Sequence, residues 1–86
     1  MSITEDLADQ LAQDALKAVE ITGDDQIIDE LATLMGATSQ TAEEAFLTAV
    51  RVRRANAKAR QMLLERITAF KAAKAAKDAK DDTQSD

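Results

Sequence analysis

Apolar residues recur at three- and four-residue intervals in three separate stretches of this 86-residue chain. This is the spacing of helices that bury one face. In the first stretch Leu7, Leu11, Ala15 and Ala18, with Ala8, Ala12 and Val19 beside them, fall opposite Asp6, Asp9, Gln13, Lys17 and Glu20. Ser2 with Glu5 three residues on forms a capping box that opens this helix. Gly23 ends it by taking up left-handed backbone, which predicts a helix over about 3–22. Asp24 or Asp25 then caps a second, shorter helix over about 25–35. There Ile27, Ile28, Leu31, Leu34 and Met35 oppose Asp29, Glu30 and Thr33, and Gly36 closes the element.

The stretch Ala37 to Thr41 reads as a polar connector, and Thr41 with Glu44 forms a second capping box. From Ala42 to about Lys77 there is no Gly or Pro, and Ala, Arg, Lys, Leu and Met abound, so one long helix of roughly 50 Å is predicted. Its large apolar residues come in two patches, Phe46, Leu47, Val50 and Val52, then Met62, Leu63, Leu64, Ile67 and Phe70. Between them lie Arg53, Arg54, Asn56, Lys58 and Arg60. At 100° per residue Arg53, Asn56 and Arg60 share a side with Phe46, Ala49, Leu64 and Ile67, so polar groups interrupt the apolar stripe. Either carboxylates from another helix meet these groups, or the helix projects past the core and leaves them in water. The helical domain is drawn over 1–70. Residues 71–80 are rich in Ala and Lys without a large apolar anchor and read as a fraying helix, and 81–86 as a polar disordered tail.

Composition sharpens this picture. Pro is absent and Gly occurs twice, which disfavours strands and tight turns and supports an all-α fold. Of the residues counted as hydrophobic, 45% of the chain, nearly half are Ala. The core is therefore thin, and a domain this small commonly needs oligomerisation to reach stability. The expectation is a three-helix domain with a long C-terminal helix, assembled as an oligomeric helical bundle.

Charge is strongly polarised. Residues 1–50 hold eleven acids and one Lys, residues 51–80 ten bases and two acids, and the last six residues three Asp. The net charge of −5 averages over these blocks. Such a chain attracts a partner of complementary charge, and a second copy qualifies. The other candidate partners are a polyanion such as nucleic acid, reached through Arg51, Arg53, Arg54, Lys58 and Arg60, and an anionic lipid surface under Leu63, Ile67 and Phe70.

One segment resembles a known pattern. Ala32, Gly36, Thr38 and Thr41, with an apolar residue at Ala42 and Phe46 four beyond, resemble the helix-turn-helix of bacterial DNA-binding domains, in which the second helix enters the major groove. The resemblance places Ser39, Gln40, Glu43 and Glu44 towards the groove, where two carboxylates have the wrong sign for phosphate. The segment is therefore read as a helical corner, with a degenerate helix-turn-helix as the alternative.

Little chemistry remains. Without Cys or His the chain has no thiol nucleophile, no disulfide and no imidazole base or ligand. Asp24, Asp25, Asp29 and Glu30 are its densest carboxylates, and they lack calcium-loop spacing. They read as helix-start residues and a solvated face. No cofactor, metal or enzymatic activity is expected. The acidic start lacks the basic flank and apolar run of a signal peptide, and no stretch is apolar enough to span a bilayer, which predicts a cytoplasmic protein. The functional expectation is a non-enzymatic interaction module that self-associates, as a dimer in the favoured case, through Leu63, Leu64, Ile67 and Phe70, and binds a protein partner.

Overall fold

A computed structural model describes residues 2–84, with side chains through residue 79. The fold is all-α, with three helices in the order α1 (Ile3–Thr22), α2 (Gln26–Gly36) and α3 (Gln40–Gln84). Among the described residues there is no strand. The contacts group the chain into two units, Met1–Ala55 and Asn56–Asp86. α3 stays helical through the Arg53 to Arg60 stretch. It also takes in 81–84, while 85 and 86 lie outside the described residues.

The ends of α1 follow from local chemistry. The Ser2 hydroxyl oxygen accepts a hydrogen bond from the Glu5 amide at 3.2 Å, satisfying one of the free donors of the first turn. At the other end Gly23 has φ 73°, and its N–H donates to the Val19 carbonyl at 2.7 Å. That left-handed backbone costs a residue with a Cβ about 1 kcal/mol or more, so glycine is favoured there. The Asp24 carboxylate then accepts from the Gln26 amide at 3.0 Å and starts α2. Asp25 makes no cap bond, which leaves its side chain free for other use.

The corner between α2 and α3 differs from the sequence expectation. The cap of α3 is Ser39, whose hydroxyl accepts from the Ala42 amide at 3.1 Å, so the helix begins two residues earlier than the Thr41 and Glu44 pattern predicts. The reason lies in the preceding turn. The Thr38 and Ser39 amides both donate to the Met35 carbonyl, so the connection is already complete at Ser39. Gly36 is helical and has no positive φ, and the turn itself is made by Ala37 and Thr38. The glycine turn of the helix-turn-helix pattern is therefore not present.

The core lies in the first unit. Ala8, Ala12 and Ala15 of α1, Ile28 and Ala32 of α2, and Phe46 and Val50 of α3 are buried, with Leu11, Leu16, Val19, Leu31, Met35 and Leu47 packed partly buried around them. The three α1 alanines, at spacings of four and three, form one stripe and share a core cluster with Phe46, the largest fully buried side chain. Burying that ring stabilises the unit by about 1.5 to 3 kcal/mol. The alanine stripe also sets the rotation of α1. Leu7, expected on the buried face, is turned outward at 59% exposure.

Candidate functional site

The first unit is closed by two adjacent arginines at the end of its α3 segment. Arg53 Nε and Nη2 donate to the two carboxylate oxygens of Asp9 on α1, each at 2.7 Å. Arg54 Nη2 donates to Asp25 at the start of α2 at 2.5 Å. Successive residues on a helix point about 100° apart, so neighbouring side chains reach different helices. The bidentate fork fixes geometry as well as charge. Hydrogen bonding from Arg53 holds the Asp9 carboxyl below its ordinary value of 3.8, against an opposing push from partial burial. The same bonds raise the Arg53 pKa. These are the two ion pairs formed among the described residues.

The five basic residues singled out from the sequence therefore separate. Arg53 and Arg54 belong to the first unit and are neutralised there. Arg51, Lys58 and Arg60 are exposed and enter no ion pair among the described residues. Of the polar groups interrupting the apolar stripe, Arg53 meets a carboxylate, whereas Asn56 and Arg60 are in water. Asp9 and Asp25 were not foreseen as partners. The signal for Asp25 was its redundancy beside Asp24 as a cap. For Asp9 it was a position bordering the alanine stripe.

Beside the Asp9 and Arg53 pair an open groove of about 400 Å³ runs between α1 and α3 within the first unit. Ala45, Ala49 and Val52 contribute its small, apolar floor, and Glu5, Asp9 and Glu44 its acidic rim. Val52 is 61% exposed, so this floor is open to solvent. Glu43, one of the two glutamates of the helix corner, lies over Gly36 instead. A Cβ added at Gly36 would collide with its carboxylate.

In the second unit every described side chain from Asn56 through Ala79 is exposed. Met62, Leu63, Leu64, Ile67 and Phe70 are between 49% and 68% exposed. Leu63, Ile67 and Phe70 fall within about 60° of one another on the helix. On the far side Gln61 donates to Glu65 at 3.4 Å. The four residues named for self-association thus share one short segment and lack cover.

Among the described residues no three carboxylates converge as a metal site would require. None of the helices is long and apolar enough to cross a membrane. No family model, curated protein or solved structure matches the chain. The functional reading therefore rests on the residues themselves.

Proposed function

We propose that this protein is a non-enzymatic interaction module that self-associates through the second half of α3, with a dimer as the smallest assembly. The observation that carries the reading is the exposure of Leu63, Leu64, Ile67 and Phe70 on a helix segment in which nothing from Asn56 to Ala79 is buried. Most helical stability in proteins comes from packing an apolar face against a neighbour. Propensity from its many alanines helps, but it does not account for four large apolar side chains. A neighbour does.

The competing reading, a nucleic-acid binder using Arg51, Arg53, Arg54, Lys58 and Arg60, is weakened because Arg53 and Arg54 are held by Asp9 and Asp25. At the helix corner Glu43 and Glu44 add charge of the wrong sign. Catalysis finds no support in Asp9, whose pKa is lowered by Arg53 and which is a poor proton donor at neutral pH.

Sedimentation velocity over a wide concentration range tests the proposal. The expected result is a concentration-dependent mass above 9.3 kDa, reduced to the monomer by Leu63→Glu with Ile67→Glu. Because both residues are exposed, the first unit should keep its fold in that variant. A wild-type chain that stays monomeric at the highest concentration refutes the proposal.

A further inference from the structure

The apolar stripe of the second unit has a border of one sign. Arg66 lies along one edge and Lys71 along the other, Arg60 stands one turn before Leu63 and Leu64, and Lys74 one turn after Phe70. From 56 to 77 there are six bases and a single acid, Glu65, which falls on the opposite side of the helix. Two such stripes laid face to face bring Lys and Arg against Lys and Arg in either orientation. Like-charge juxtaposition across an interface is penalised by several kcal/mol. The surface that covers this stripe therefore carries carboxylates.

The first unit supplies such a surface. Glu5 and Glu44 are exposed on the rim of the groove between α1 and α3, with Asp9 beside them, and Ala45, Ala49 and Val52 form its floor. Small floor residues admit the close approach of a helix. The second unit has small residues to match, since Ala59 and Ala73 flank its large apolar side chains. We infer that the second half of α3 from one copy docks in the acidic groove of the first unit of another. Leu63, Ile67 and Phe70 then lie over Ala45, Ala49 and Val52, with Arg66 and Lys74 facing Glu5 and Glu44. A reciprocal exchange closes a two-fold dimer, and an unreciprocated one extends into a chain of copies.

This inference rests on the self-association proposed above, and charge reversal separates the two. A groove variant, Glu5→Lys with Glu44→Lys, and a helix variant, Arg66→Glu with Lys74→Glu, alter exposed residues only. Each alone should sediment as a monomer where the wild-type chain is associated. Mixed in equal amounts they should recover the wild-type mass, because the basic helix of one meets the acidic groove of the other and the acidic helix meets the basic groove. Should charge reversal disturb folding, the milder Glu5→Gln with Glu44→Gln is expected to weaken association by roughly tenfold. That loss should shrink at high salt.

If Leu63→Glu with Ile67→Glu dissociates the assembly while the groove variant associates like the wild type, self-association stands and the docking site is overturned. Failure of the mixture to recover mass also overturns it. A monomeric wild-type chain removes both ideas, including the case in which that monomer pellets with vesicles of anionic lipid.

Discussion

The chain's two phenylalanines allow one substitution to be read in two environments. Phe46 is wholly buried and Phe70 is 68% exposed. Phe46→Ala removes the ring from a core whose other buried members are four alanines, Ile28 and Val50. A loss of about 3 to 5 kcal/mol is expected from the missing transfer energy and the cavity left behind. A unit of this size has roughly 3 to 8 kcal/mol of stability in all. The variant should therefore lose its cooperative urea transition or shift the midpoint by more than roughly 1 M. Phe70→Ala should leave that transition in place in dilute solution, to within about 0.5 kcal/mol, and act on association instead. Circular dichroism sums over all three helices, so the sharper probe is the methyl resonances of Ile28 and Val50, which share a cluster with Phe46. A Phe46→Ala transition within roughly 0.5 M of wild type, or equal losses from the two substitutions in dilute solution, would refute this account of the core.

The two glycines should respond differently to alanine. Gly23→Ala is expected to cost about 1 kcal/mol or more because of its φ of 73°. Gly36→Ala should be neutral or slightly stabilising by thermal melting, because the site is helical and the Glu43 side chain can move aside. Asp9→Asn should change the acid limb of the stability profile. The folded pKa of Asp9 lies below its unfolded value, so its contribution is present above about pH 4 and is lost as pH falls through the folded pKa. Urea midpoints of wild type and variant should accordingly differ at pH 6 and converge towards pH 2. Lys58→Ala with Arg60→Ala should leave folding intact, and any duplex-DNA binding at low salt that survives it unchanged would locate that binding elsewhere.

Much of the fold was legible because the signals were local. The spacing of Leu11, Ala15 and Val19, the glycine at 23 and the serine at position 2 each act within a few residues and define α1, as the spacing of Ile28, Leu31 and Met35 does for α2 and the breaker-free run after Ala42 for α3. The start of α3 was misplaced because Ser39 and Thr41 are both competent caps. The choice fell to the Met35 carbonyl, which collects the Thr38 and Ser39 amides and completes the turn early. The outward rotation of Leu7 was invisible for a different reason. A helical wheel ranks residues by hydrophobicity, whereas here the buried positions of α1 are all taken by alanines, in one cluster with Phe46. At the candidate site, charge segregation was plain from counting, but which arginines were already spoken for was a tertiary fact. The alternation of Arg53 towards α1 and Arg54 towards α2 requires both helices to be in place.

That preference for small residues inside has a consequence for what the protein does. The first unit closes around four alanines and only three larger apolar side chains, while ten large apolar residues among those described remain exposed. Five of the ten fall between Met62 and Phe70, on a segment without buried contacts. Scattered exposed apolar residues are ordinary on any protein surface, but a contiguous patch marks an interaction site. A chain selected only to fold alone could place these residues where the alanines now sit and gain a larger core. Putting small residues within and large ones without instead gives α1 and α3 a shallow shared groove and leaves α3 an unsatisfied apolar edge. The same acidic and basic blocks that make the average charge uninformative give those two surfaces opposite signs. Core composition, exposed stripe and charge segregation are thus the three observations on which the proposed association with another copy rests.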